Sequence, residues 1–272
     1  MTQPPIYDPS DPAVIRDPYP ALLHLQREDP AHWSPKLKAW ILTRHADVRR
    51  ALDDPAMSVD RIRPFYQRLP EADQATLSDI VRYLDLWLVF RDPPEHTRLR
   101  RLMAKAFTRK TVESLRENVD ALVAELIDAL PVGEEIDFVD RFAMAELGRI
   151  KSWSDEMQLF IGSARSAPDK NARAAHGARE MASFFRGLIE ERRRAPTGDL
   201  ISQFVAARDG DAAMSEDELV AACMLVLFGG HETTTNLLTT GFEKFIRRPD
   251  QAALLREHPG LAPGAVEECL RL

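Results

Sequence analysis

The chain has 272 residues, enough to bury a substantial core in one large domain or two small ones. Hydrophobic residues make up 44% and charged residues 29%, the balance of a soluble globule rather than of a disordered or membrane-embedded chain. A formal net charge of −7 argues against a general nucleic-acid binder. No apolar run reaches the ~18–20 residues of a membrane span, and no basic-then-apolar leader opens the sequence. The expectation is a cytoplasmic protein with neither membrane nor nucleic acid as partner. The cysteines, Cys223 and Cys269, both fall in helical pattern and suggest neither a disulfide framework nor a zinc site.

In chain order, the opening stretch "PPIYDPSDPAVIRDPYP" is proline-rich, with a short helical segment after Tyr19. "AHWSPKLKAWILTR" alternates apolar residues on either side of a turn at residues 35–38 and predicts a small hairpin. From Ala46 onward nearly everything has helical period. "HADVRRAL", "ATLSDIVRYL", "HTRLRRLMAKAF", "VESLRENVDALVAELIDAL" and "GAREMASFFRGLIEERRR" all place apolar residues three and four apart. "PTGD" and "RRPD" punctuate them. The fold class expected is mainly α, with a minor β element near the start.

The longest predicted helix opens at Ser215, which forms an S-x-x-E capping box with Glu218, and runs to about Arg247, ahead of Pro249. Its first half, "LVAACMLVLF", is apolar nearly all round, which predicts burial. It continues into "GGHETTT", residues 229–235, where poor helix formers accumulate. This segment is expected to lie deep inside, where an ionisable Glu232 needs a partner or a task. A threonine hydroxyl there can bond a carbonyl one turn back, which tends to bend or open a helix. Gly229 and Gly230 would let a flat group approach the backbone. The plain alternative is close helix packing at the glycines, with His231 a packed polar residue. A zinc-protease H-E-x-x-H is excluded, because Thr235 stands where the second histidine belongs.

"DPPEHTRLRRLMAKAFT" is a second motif. Pro93 and Pro94 suit a helix start and Glu95 its positive end. His96 and Arg100 are four apart on one face and together can grip an anion, or simply form a solvated basic face. Arg101, Lys105 and Arg109 follow at four-residue spacing as a stripe, which reads either as solvated surface or as a docking strip for an acidic partner. In the closing "AVEECLRL", Glu268 and Arg271 are three apart and allow an ion pair within a helix.

In this order, "FRDPPEHTRLR", "GGHETTTNL" and the final E-x-x-R resemble the bacterial soluble class of cytochrome P450 monooxygenases, over most of the chain. The resemblance implies a P450 fold around a long central helix and a b-type haem between that helix and a cysteine loop. It implies that His96 and Arg100 hold the haem carboxylates, and that Gly229 and Gly230 border the haem on its oxygen-binding side. Glu232 and Thr233 match the acid–alcohol pair that delivers protons during oxygen activation, and Glu268 and Arg271 match the structural ion pair. Trp87, Leu88 and Val89, in "YLDLWLVF", match a segment that lines substrate pockets, although core packing explains them as well. The implied partners are a small organic substrate, dioxygen and a separate ferredoxin- or flavodoxin-type electron donor.

Two departures qualify this. The family's ligand loop, Phe-x-x-Gly-x-x-x-Cys, is not found, and neither Cys223 nor Cys269 lies in such a motif. The stretch around residues 142–152 looks shorter than the family pattern. The expectation is one incomplete P450 domain over residues 1–272, truncated after the E-x-x-R helix and inactive alone. The alternative is a haem-less helical remnant or binding scaffold without catalysis.

Overall fold

The computed structural model describes residues 7–143, 148–161, 169–208 and 211–271. By its internal contacts the chain divides into two units, residues 1–59 and 60–272.

The first unit holds α1 (Pro12–Arg16), α2 (Tyr19–Glu28), β1 (Ala31–Ser34), β2 (Ala39–Leu42) and α3 (His45–Asp53). The strands pair antiparallel, with Trp33 opposite Trp40 and their rings edge to face at 5.5 Å. Lys38 closes the turn with φ of 51°, the left-handed conformation a tight reversal requires. The hairpin is thus the one the alternation predicts. Lys36 in its turn reaches Asp8 at 2.6 Å.

The second unit is helical: α4 (Ile62–Tyr66), α5 (Glu71–Leu84), a 3-10 turn at Leu88–Phe90, α6 (Glu95–Ala106), α7 (Arg109–Ser114) and α8 (Arg116–Asp128). A π turn at Val139–Ala143 leads to α9 (Gly148–Ile161), α10 (Lys170–Arg194) and α11 (Leu200–Ala206). Then come α12 (Glu216–Arg247), α13 (Pro249–Glu257) and α14 (Ala262–Arg271). Residues 144–147, in the stretch read as shortened, lie outside the described residues.

The core forms where α5, α6, α10 and α11 gather on the first half of α12. Leu219 to Met224 of α12 are all buried, as are Ile80 and Leu84 of α5, Leu102 of α6, Met181 and Ile189 of α10, and Phe204 of α11. Burying such side chains is worth roughly 1.5–3 kcal/mol each, which makes this half of α12 the nucleus of the packing. Helix α9 lies tightly on α10. At Gly177 an added Cβ would stand 2.5 Å from the Trp153 carbonyl oxygen, so only glycine permits the approach.

Helix α12 begins as the capping box predicts. Ser215 Oγ accepts from the Glu218 amide at 3.3 Å, and Glu218 Oε2 accepts from the Ser215 amide at 2.8 Å. The helix then runs unbroken for 32 residues, about 48 Å at 1.5 Å per residue.

Candidate active site

Residues 229–235 sit on that unbroken helix, and two expectations about them change. They are not deep inside: Gly229, Gly230, Thr233 and Thr234 are exposed, and Glu232 is half-buried. The physical reason is composition. Phe228, 8% exposed, is the last large apolar side chain before an eight-residue stretch without one, so the core stops there. Beyond it α12 meets the π turn, α13 and α14 instead. Nor does the helix open. The Thr233 hydroxyl does bond the Gly229 carbonyl one turn back, as its position predicts, but the backbone ladder continues past it.

The glycine pair leaves a flat strip. A Cβ built on Gly229 or Gly230 meets nothing within 4 Å, so these glycines do not serve close packing within the described residues. Glu232 has a partner that no sequence motif marks: Gln158, on α9, donates its amide N–H to Glu232 Oε2. His231 is a packed polar residue, its Nδ1 3.3 Å from the Leu227 carbonyl and its ring edge-on to Phe228. Among the described residues no cluster of histidine, cysteine and carboxylates is placed to hold a metal ion.

The three pocket candidates separate. Trp87 is buried at 3% exposure, parallel to the Phe90 ring at 6.1 Å and against Phe228 at 5.3 Å. It is a core residue, with its indole N–H buried and unpartnered among the described residues. Leu88 packs partly on the core, and Val89 turns outward at 51% exposure.

On α6 the cations divide by use. Arg98 forms an ion pair with Glu218 of α12, and Lys105 donates to the Arg208 carbonyl after α11. His96, half-buried, and Arg100, exposed, make no side-chain hydrogen bond or ion pair among the described residues. At 100° per residue they flank the buried stripe of Leu99, Leu102, Met103 and Ala106 on one side, with Arg98 on the other. Glu218 feels burial first, which alone would raise its carboxyl. The hydrogen bonds from Arg98 and from its own capping box outweigh that and hold it below the ordinary carboxylate value.

The predicted stripe of Arg101, Lys105 and Arg109 is not one helical stripe. Helix α6 ends at Ala106, and Thr108 caps α7 by accepting from the Thr111 amide at 3.1 Å. Arg109 therefore starts a new helix, where it pairs with Glu113 at 2.7 Å. All three cations remain on exposed surface.

The Glu268–Arg271 ion pair is present on α14, at 2.9 Å and 2.5 Å. Hydrogen bonding from Arg271 holds the Glu268 carboxyl below its usual range. Neither cysteine faces the glycine strip. Cys223 points into the core, 5% exposed, and burial, with a smaller contribution from Asp199, pushes its thiol up to about 12. It stays protonated at neutral pH. Cys269 is wedged between α14 and α12, its Sγ 3.2 Å from where a Cβ on Gly241 would stand. That is eleven residues past Gly230, roughly 16 Å along the helix.

Comparison with known proteins gives this arrangement a lineage. The family profile described as cytochrome P450 matches residues 134–258. Cytochrome P450 107B1 of Saccharopolyspora erythraea is 36% identical over 257 residues, covering 86% of this chain and 60% of its own. Vitamin D(3) 25-hydroxylase of Pseudonocardia autotrophica is 34% identical over 94% of this chain and 64% of its own. The chain thus spans a little over three fifths of the length of these curated relatives. Among solved structures, CalO2 superposes with a TM-score of 0.83 at 29% identity, over 98% of this chain and 69% of that one. The tirandamycin C-bound P450 monooxygenase TamI gives 0.75 at 34% identity, over 98% and 70%. No helix among the described residues is long and apolar enough to cross a membrane. With the same helical frame, and with 34% identity over 98% of this chain and 70% of a solved P450 monooxygenase, the chain belongs to the cytochrome P450 family and groups with bacterial members.

Proposed function

We propose that this chain forms the oxygen-activating side of a haem-thiolate monooxygenase, which inserts one atom of dioxygen into a small organic substrate. The observation that carries the reading is the open, side-chain-free strip at Gly229 and Gly230, one turn ahead of a Thr233 hydroxyl already bonded to the Gly229 carbonyl. The residues present fit a haem. The strip admits a flat face, and His96 and Arg100 are unspent donors suited to its carboxylates. The group, when bound, would supply the redox chemistry at oxygen. The environments of Cys223 and Cys269 suit neither for the thiolate ligand.

The chain's own part is proton handling and orientation. Thr233 donates its proton to Gly229 O and so keeps its oxygen lone pairs available to accept from water. Glu232 is half-exposed and exchanges protons with solvent, while Gln158 holds one carboxylate oxygen and fixes the orientation of the other. Arg101, Lys105 and Arg109 offer an exposed basic surface to a ferredoxin- or flavodoxin-type donor. Residues 1–272 are read as part of one P450 domain, since relatives align across both units.

The test compares ferric haem with its dimethyl ester, in which both carboxylates are capped. Haem is expected to bind more tightly than the ester, and the double variant His96→Ala/Arg100→Ala is expected to erase the difference. Equal binding of the two by the wild type removes His96 and Arg100 from the cofactor site, and binding of neither favours a haem-less scaffold. In the holoenzyme, Thr233→Ala is expected to divert reducing equivalents from product to peroxide. Unchanged coupling takes Thr233 out of the mechanism.

A further inference from the structure

A cavity of about 610 Å³ lies between α4, α5, α9, the start of α10 and the 3-10 turn at Leu88–Phe90. That volume is within the range of sites that take small molecules. Its walls are apolar: Ile62, Phe65, Leu77, Phe90, Leu159 and Phe160 contribute most of them. Its polar lining is uneven. Asp73 and Asn171 are joined to each other, the amide donating to the carboxylate at 3.1 Å. Arg61 holds its guanidinium 4.7 Å over the Phe90 ring. Neither Arg61 nor the half-buried Lys170 makes a hydrogen bond or ion pair among the described residues. On a protein with a net charge of −7, two cations with no ion pair among the described residues at one cavity stand out.

We propose that this cavity binds an apolar molecule carrying a single carboxylate, with the carboxylate set between Arg61 and Lys170. The proposal names the substrate class for the monooxygenase reading above and rests on it. Three charge arguments select the head group. An uncharged ligand would cover both cations without pairing them, which desolvates charge for no return. A cationic ligand would be repelled by them. A doubly charged head such as a phosphate monoester would also face Asp73 at the same cavity, whereas a carboxylate meets a net single positive charge there. The apolar body then lies along the aromatic and aliphatic wall.

The cavity is also connected to the acid–alcohol pair. Phe90 in its wall stacks on Trp87, Trp87 packs on Phe228, and Phe228 precedes Gly229. On α9, Leu159 and Phe160 line the cavity while their neighbour Gln158 holds Glu232. A molecule seated here rests on both elements that frame the site.

The experiment is calorimetric titration of the haem-free chain with decanoate, decan-1-ol and decylammonium. Decanoate is expected to bind about tenfold tighter than decanol, the effect of two partly exposed ion pairs. Decylammonium is expected to bind weakest. Arg61→Gln/Lys170→Gln is expected to weaken decanoate by about tenfold and decanol by less than about twofold. Phe65 is half-exposed at the cavity lip, so Phe65→Asp is expected to keep the helical circular dichroism spectrum and weaken both decanoate and decanol. Equal binding of decanoate and decanol overturns the proposal. So does binding of neither, a double variant that weakens both alike, or decanoate binding indifferent to Phe65→Asp. The titration uses no haem, so its failure leaves the haem and ester comparison standing, and the converse also holds.

Discussion

Gly177→Ala is expected to destabilise the protein, while Gly187→Ala, ten residues further along the same helix, is expected to stabilise it. Both glycines lie in the interior of α10, so alanine gains about 1 kcal/mol of helix propensity at either. Their surroundings differ. A Cβ at Gly187 meets nothing within 4 Å. At Gly177 it would stand 2.5 Å from the Trp153 carbonyl oxygen and 2.9 Å from Glu156 Cβ, against ordinary contact from 3.4 Å. The obstacle is α9 backbone, so α9 must retreat by about 0.9 Å, the difference between those distances. Overpacking of this kind costs about 1–3 kcal/mol. Set against the propensity gain, the net loss is up to about 2 kcal/mol, or up to about 4–8 °C in Tm for a chain of this length. Gly187→Ala gains about 0.5–1 kcal/mol. Urea unfolding followed by far-ultraviolet circular dichroism measures both. Two variants that shift stability in the same direction would refute the packing argument. The perturbation also reaches the site, because α9 carries Gln158, and its retreat is expected to release Glu232.

Two pH effects follow from ionisation. The Cys223 thiol titrates near 9 in an unfolded chain and at about 12 when buried, so folding holds a proton that the unfolded state releases. Stability is therefore expected to fall as pH rises from about 9 to 12, and Cys223→Ala to lose that part of the slope; equal alkaline slopes in the two proteins would contradict the burial argument. Asp199 caps α11 and pairs with Arg192 at 2.5 Å. Burial would raise its carboxyl, but the hydrogen bonds from Ser202 and Arg192 win and lower it from 3.8 to about 2. Its contribution is present above pH 3.8 and lost as pH falls toward 2, so Asp199→Asn, which keeps a capping oxygen, is expected to flatten acid unfolding over that window. An unchanged acid limb in the variant would show that the charge is not what holds α11.

What was legible in the sequence was what local chemistry decides. Ser215 and Glu218 are three apart and satisfy each other's amides, so the start of α12 follows from four residues alone. The Trp33 and Trp40 alternation sets the hairpin in the same way. Thr108 and Thr111 carried an equally local signal, a capping threonine that ends α6 and breaks the basic stripe, but the four-residue charge spacing masked it. Tertiary facts had no such signature. Glu232 and Gln158 are 74 residues apart, and glutamine on a helix face announces nothing. Whether residues 229–235 are covered depends on which helices lie over them, and an apolar run before a polar stretch does not say where cover ends. The side-chain chemistry of Glu232 and Thr233 was therefore readable, while their exposure was not.

The acidic start of α12 explains how an exposed site is held in register. Glu216, Asp217 and Glu218 sit at the positive end of the helix dipole, and each also takes an arginine from another helix. Glu216 pairs with Arg193 of α10, Asp217 with Arg82 of α5 and Arg186 of α10, and Glu218 with Arg98 of α6. Partly exposed pairs contribute little stability one at a time, about 0–1 kcal/mol each. Their joint effect is geometric, since three helices with different axes must satisfy three consecutive residues at once. Sliding any of α5, α6 or α10 by one helical turn breaks its pair and moves its apolar stripe off the buried half of α12. For α6 the constraint has a further consequence. Arg98 is committed to Glu218, which fixes the rotation of the helix and so leaves His96 and Arg100 together on the other flank of its buried stripe. The donors available to an anionic cofactor are thus selected by an ion pair on the opposite flank, between residues 120 apart in sequence.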